Sequence, residues 1–253
     1  MSHTAPQSPA AACTAAIVFA LPVEADGFAA LATHRRETRA AAATIHEGVV
    51  EGRRVAWCVS GTGRAAAAAA TRLLIAGHRP RLIVSAGLAG GLDPALRRGD
   101  AVAATVAVAE GEPRPISLSP FEHEHGPGTG TERLAIVTVD RVVATAAAKR
   151  LLAAAAAAQL VDMETHAVAA VARDAGLPCA SIRVVSDTAD EDLPPEVAAL
   201  AAAPSAARRL GLALGAIGRR PRAAFDLWRV WEHAVVDGRT LANALGAGLR
   251  HHG

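Results

Sequence analysis

Three carboxylates stand where predicted strands end and the next element begins. The run AAIVFAL leads through LPVEAD to Glu24, LVDM leads to a helix opened by Glu164, and CASIRVVSD closes on Ser186 and Asp187, with Asp190 close behind. Ligands of α/β sheets gather at the carboxyl ends of strands. If these ends point the same way, they bring three carboxylates to one pocket, and burial there would raise a carboxyl pKa toward the range useful for acid–base work. Taken singly, each has an ordinary explanation: Glu24 and Glu164 as helix N-terminal carboxylates favoured by the macrodipole, Asp187 as an N-cap or turn residue. Glu164 fits that explanation least well. On a helical wheel it shares one face with Val161, Val168, Val171 and Ala175, whereas Asp162, His166, Arg173 and Asp174 occupy other sectors.

Glycine-rich runs accompany the carboxylates. SGTGRAA fits G-x-G-x-x-A through Gly61, Gly63 and Ala66. The acidic residue expected about 20 positions on is missing from RLIVSAGLAGG, which argues against a nicotinamide or flavin. SAGLAGGLDP, from Ser85 to Pro94, reads as a second turn in which Ala86 and Gly87 let backbone approach a ligand, or as ordinary loop packing. FEHEHG offers His123 and His125, but in a Pro/Gly-rich stretch they read as a solvated loop and no metal is expected. Cys13, Cys58 and Cys179 are widely spaced without a CxxC, so neither a disulfide framework nor a zinc site is indicated. With no G-x-S-x-G, P-loop or H-E-x-x-H, serine hydrolases, nucleotide triphosphatases and zinc proteases lose support.

A large core must hold these residues in place. The chain has 253 residues, 51% hydrophobic and 20% charged, with a net charge of +2. That length suits one large α/β domain, and the balanced charge does not advertise a nucleic-acid partner. Aromatic residues are only 3%, so helices and small-residue packing are favoured. Strands are predicted at AAIVFAL, RLIVSAG, DAVAATVAVAEG, LAIVTV and CASIRVVSD, with a hairpin in GVVEGRRVAWCVSG turning at Glu51 and Gly52. Helices are predicted in VEADGFAALATHR, in TGRAAAAAATRLLIAGHRP closed by Gly77 and Pro80, in RVVATAAAKRLLAAAAA and in ETHAVAAVARDAG. This alternation implies a parallel or mixed sheet covered on both faces. GEPRPISLSPFEHEHGPGTGTE reads as a long loop. Residues 1–13 form a disordered leader in this reading, 14–218 the α/β domain and 219–253 a helical C-terminal extension. No Lys or Arg precedes AAACTAAIVFALP, and Glu24 and Asp26 follow it, so it is not read as a signal peptide. No stretch reaches the roughly 20 apolar residues of a membrane span, and a cytoplasmic protein is expected.

Taken in order, ALPVEAD, SGTGRAAA, SAGLAGGLDPALRRGD, VDMETHAVA and VVSDTAD resemble the nucleoside phosphorylase/nucleosidase family, most openly its methylthioadenosine/S-adenosylhomocysteine nucleosidase branch. The likeness runs from Ala15 to Leu193, and the pairing of VDME with VVSD is its specific part. It implies a central mixed, twisted sheet flanked by helices on both sides. It also implies cleavage of an adenine nucleoside with release of adenine, no cofactor, and a homodimer in which SPFEHEHGPG is a lid or cross-subunit wall. Asp187 matches the family's general acid, which delivers a proton to N7 of adenine; Glu24 matches the carboxylate that orients and deprotonates the attacking water. Glu164 matches the residue that binds the ribose hydroxyls, with Met163 packed against the sugar, and Ser186, Ala86, Gly87 and Gly63 join the substrate-binding set.

Departures from the pattern bear on nucleophile and substrate. Family phosphorylases place an arginine just before the glycine turn, whereas LIVSAGLAGG has Ser85 there; Arg64 is left as a candidate phosphate ligand or a surface helix residue, and hydrolysis is favoured. Where an aromatic would stack on the purine, after Asp140, the chain has Val142 and Val143, and Leu88 stands where a hydroxyl is frequent. GLAGGLDP, TVDRVVA, VDMETHAVA and SDTADEDLPP look more like the hopanoid-associated branch, which implies adenosylhopane as the nucleoside and a peripheral place at the inner membrane. Phe225, Trp228, Trp231 and Val235 recur at helical spacing beside Arg219, Arg220, Arg222 and Arg229. Residues 219–236 thus read either as a lipid-interface face or as a helix packed on its own core or a subunit partner. Methylthioadenosine or S-adenosylhomocysteine as substrate, phosphate as nucleophile, and a non-catalytic nucleoside-binding role stay open as alternatives.

Overall fold

A computed structural model of the chain describes residues 12–40, 43–122, 134–194 and 222–252, without the side chains of Pro113 and 222–230. At its centre lie three parallel strands, β1 (Ala15–Phe19), β5 (Leu82–Gly91) and β11 (Cys179–Asp187). Nearly every residue of these strands is buried, as the continuous apolar runs of a sheet covered on both faces require. On the outer side of β1 follow β4 (Arg53–Val59), β3 (Thr44–Val50) and β2 (Thr33–Arg39). Past β5 come β10 (Leu160–Asp162), β9 (Ala135–Thr138), β7 (Val106–Ala109) and β8 (Glu112–Ser117), while β6 (Ala101–Ala104) pairs antiparallel with β11. Parallel and antiparallel pairs coexist, so the sheet is mixed.

Helices cover both faces. Helices α2 (Arg64–His78) and α4 (Thr165–Asp174) bury Ala67, Ala70, Leu74, Val168 and Ala172 on one side. On the other, α1 (Pro22–Leu31) and α5 (Arg222–His251) bury Phe28, Leu241 and Leu245 against Ile17, Phe19 and Trp57. A third cluster lies under α3 (Ala146–Ala156), where Leu152 meets Val137, Val139 and Val161. Helices α1 and α5 cross backbone to backbone: a Cβ on Gly238 would lie 2.5 Å from the Val23 carbonyl oxygen, and one on Gly27 2.8 Å from that of Gly238. The second half of the predicted C-terminal extension is therefore part of the core. Of its aromatic face, Trp231 is exposed and Val235 half-buried, while the side chains of Phe225, Trp228, Arg222 and Arg229, with Arg219 and Arg220, lie outside the described residues. So do residues 1–11 of the leader and His123 and His125, although Cys13 is buried in the core.

Several elements differ from the sequence expectation. Thr33–Arg39 is strand, where the helical reading ran on to Arg35; all seven residues are exposed, so no alternation betrays them, and Arg35, Arg36 and Arg39 give the sheet a charged edge. Part of the expected long loop, Glu112–Ser117, forms a hairpin with β7, its two prolines accommodated on an edge strand. SAGLAGG is not a turn but the far half of β5, paired along β11 and then with β10. The helix foreseen from Arg141 begins at Ala146, where Thr145 accepts the Ala148 N–H at 3.2 Å. The hairpin at Glu51 and Gly52 forms as expected, with φ of 50° and 72°.

Candidate active site

The carboxyl ends of β1, β5, β10 and β11 open on one cavity of about 190 Å³, lined among others by Leu21, Glu24, Leu88, Met163, Glu164, Ser186 and Asp187. Glu24 lies in the first turn of α1, after a proline that cannot donate a hydrogen bond. Its Oε2 accepts the N–H groups of Ala20 at 2.9 Å and Leu21 at 2.8 Å, and its Oε1 accepts that of Leu88 at 2.9 Å. Burial pushes its pKa up, opposed by those N–H donors and by Arg183. Glu164 is the N-cap of α4 and sits where apolar residues would, because that end of the helix borders the cavity. Gly63, with φ of 97°, aims its N–H at Glu164 Oε1, 2.6 Å away. Burial and the neighbouring Asp162 carry Glu164 to a pKa of about 7, against the pull of the Gly63 N–H and Arg183.

Beneath these two carboxylates runs a polar network that the sequence reading missed. Arg183, buried in the middle of β11, donates through Nη2 to Ser85 Oγ at 2.6 Å, Thr165 Oγ1 at 2.7 Å and Asp162 Oδ2 at 2.8 Å. Asp162 also accepts from Thr138 Oγ1 at 2.7 Å and from the Thr165 N–H at 2.9 Å. A charge inside CASIRVVSD was the available signal for Arg183. Asp187 ends β11 with Oδ1 2.6 Å from the Ser186 hydroxyl and Oδ2 2.6 Å from the Nζ of Lys149. Asp190 is apart from the cavity, its carboxylate accepting from Thr188 Oγ1 at 2.8 Å.

The expected residues thus separate. Glu24, Glu164, Asp187, Met163 and Ser186 line the cavity, as do Leu88, Val142 and Val143. Gly63 reaches it through its N–H to Glu164. Ala86 is buried in the sheet, and the space above Gly87 is filled by Glu24 and Arg183, so Leu88, Ala89 and Gly90 form that wall instead. Arg64 is engaged elsewhere: it forms an ion pair with Asp140, 3.0 Å from Nε but without a hydrogen bond from that nitrogen, while Nη2 donates to the Thr138 carbonyl at 3.0 Å and Nη1 reaches Glu112 at 3.4 Å. Arg141, at the rim, is paired with Glu110. The thiols are poor nucleophiles, since burial raises Cys13 to about 11 and Cys58 and Cys179 to about 12. Among the described residues no cluster of His, Cys, Asp and Glu could hold a metal ion, and no helix is long and apolar enough to cross a membrane.

A second chamber of about 400 Å³ shares Leu21, Leu88, Val142, Asp187 and Leu193 with the cavity and extends to Ala234 and Asp237 on α5. Nearby on that helix Trp231 and Val236 are 55% and 54% exposed. Arg98 closes one side, donating to the Ser186 carbonyl and pairing with Asp237 at 2.5 Å.

Comparison with known proteins agrees with this architecture. Residues 14–134 and 124–217 match the model of the Phosphorylase superfamily. Over 89 residues the chain is 37% identical to a 5′-methylthioadenosine/S-adenosylhomocysteine nucleosidase of Actinobacillus succinogenes, a match spanning 35% of this chain and 39% of that protein's length. The fold superposes on the crystal structure of a mutant Helicobacter pylori methylthioadenosine nucleosidase with 5′-methylthioadenosine in its active site, at a TM-score of 0.70 and 18% identity over 95% of this chain and 99% of the other. It also superposes on Helicobacter pylori futalosine hydrolase, at a TM-score of 0.67 and 19% identity over 95% and 98% of the two chains.

Proposed function

The chain belongs to the phosphorylase superfamily, and on that premise we propose that it cleaves the N-ribosidic bond of an adenine nucleoside and releases adenine. The observation that carries the reading is the convergence of Glu24, Glu164 and Asp187 on one cavity. Breaking this bond builds oxocarbenium character on the ribose and expels a purine that leaves well only when protonated. Asp187 supplies the proton to N7. Glu24, whose raised pKa makes it a stronger base, takes a proton from the attacking water. Glu164 accepts hydrogen bonds from the ribose hydroxyls, and Met163 packs beside the sugar.

Water is the nucleophile in this reading, because Arg64 and Arg141 are already paired with Asp140, Glu112 and Glu110. The 5′-substituent is a lipophilic one, adenosylhopane being the candidate. Support comes from the hopanoid-associated sequence pattern, from the apolar wall of Leu21, Leu88, Val142 and Leu193, and from a second chamber that extends from it to Ala234 and Asp237 on α5. Methylthioadenosine is the second reading, favoured by the Helicobacter relative that holds it.

The test is adenine release, followed by chromatography, from methylthioadenosine and from a 5′-alkyl adenosine, each with and without phosphate. Release from the alkyl substrate alone, independent of phosphate, is expected. A phosphate requirement would make the enzyme a phosphorylase, rapid turnover of methylthioadenosine would remove the lipid substrate, and no release from either would refute the reaction.

A further inference from the structure

Lysine occurs once in this chain, among 26 Lys and Arg residues, and that one side chain has no exposed surface. A lysine ordinarily keeps its ammonium in water and is buried only when paired. Lys149 reaches from α3 to the end of β11, where Nζ lies 2.6 Å from Asp187 Oδ2 and donates to the carbonyl oxygens of Thr188 at 2.6 Å and Glu191 at 2.9 Å. Three N–H groups meet three oxygens, so the ammonium is saturated. A planar guanidinium presents its donors as a fork and does not match three acceptors converging on one point. The need for a compact ammonium explains a lysine here in a chain that uses arginine everywhere else.

The consequence falls on Asp187. One carboxylate oxygen is held by Lys149 and the other lies 2.6 Å from the Ser186 hydroxyl, so the group cannot rotate without breaking a contact. Lys149 also ties down the Thr188–Glu191 turn behind it and does not itself line the cavity. We infer that Lys149 is a positioning residue for the proton donor: it acts through Asp187, fixing the carboxyl group toward the purine, and never touches substrate. The inference rests on the proposed acid role of Asp187, and it makes Lys149 necessary only when the leaving group has to be protonated.

That restriction gives the test. Wild type and Lys149→Met are compared on an adenine nucleoside and on 4-nitrophenyl β-ribofuranoside, whose phenolate leaves without a proton. Adenine release should fall about 100-fold in kcat with KM within about threefold, while 4-nitrophenol release changes less than about threefold. Equal losses on both substrates would reduce Lys149 to a structural prop, and unimpaired adenine release would overturn the inference outright. A second measurement uses the wild-type chain, where selective side-chain labelling of lysine yields a single NMR resonance. That resonance should shift on adding adenine and in Asp187→Asn; a resonance indifferent to both would refute the contact. Wild-type protein that releases no adenine would sink the reaction itself, whereas the effect of Asp187→Asn on the lysine resonance still judges the contact.

Discussion

Gly87→Ala tests how the site is held together. Gly87 lies in the middle of β5 without a positive φ, so the requirement there is for space rather than for conformation. A Cβ at this position would stand 2.5 Å from Arg183 Nη1 and 2.8 Å from Glu24 Oε1. Ordinary contact needs about 3.5 Å, so the two side chains must retreat by on the order of 1 Å. β11 pairs with β5 on both sides of Gly87 and at Gly87 itself, which restrains the backbone from giving way. Overpacking of this kind costs about 1–3 kcal/mol, and weakening the Leu88 N–H bond to a buried carboxylate about 1.5–3 kcal/mol more. The sum is about 2.5–6 kcal/mol, or on the order of 5–20 °C in Tm for a chain of this size. Displacing a catalytic group by about 1 Å should lower kcat about 100-fold. Thermal unfolding and adenine release on the same preparation measure both. Gly77→Ala is the control, since a Cβ there, on α2, would meet nothing within 4 Å. A Gly87→Ala protein with wild-type turnover and a Tm within about 2 °C would mean that Glu24 and Arg183 are not locked as described.

Other perturbations have defined outcomes. Asp187→Asn and Glu24→Gln should each cut adenine release by about 100-fold or more while leaving the circular dichroism of the folded protein unchanged, with Tm lowered because Asp187 pairs the buried Lys149 and Glu24 accepts three N–H groups; turnover close to wild type in either would refute its assigned role. Glu164, with a pKa near 7, accepts ribose hydroxyls best when ionised, so nucleoside affinity should weaken about tenfold per pH unit below that value, and Glu164→Gln should flatten the profile. The sign for stability is the reverse. Between about 4.5 and 7 the folded state keeps a proton that the unfolded chain has released, so this group's contribution declines as pH rises through that window, which denaturation of wild type and Glu164→Gln would resolve. Gly238→Ala should destabilise by about 1–3 kcal/mol despite alanine's better helix propensity, because its methyl group meets the Val23 carbonyl; a rise in Tm would contradict the close crossing of α1 and α5.

Reading residues in order was enough to find the α/β class, the hairpin at Glu51–Gly52 and the strand ends bearing Glu24, Glu164 and Asp187, because period and breakers are local properties of the chain. Glu164 was legible as an anomaly, a carboxylate among Val161, Val168 and Val171. The strand at Thr33–Arg39 was not, since an exposed edge strand takes its conformation from hydrogen bonds to β3 and leaves no pattern in its side chains. Nor was the run from Ser85 to Gly91, where small residues suggested a turn but serve to admit Glu24, Arg183 and Asp187 around a central strand. Lys149 is the clearest case. In AAAKRLL it is indistinguishable from a solvated helix lysine, and only the packing of α3 against the turn after β11 brings its ammonium to Asp187. The chemical groups and the elements that carry them are written locally, whereas distances between groups 38 residues apart in the chain exist only once the sheet has closed.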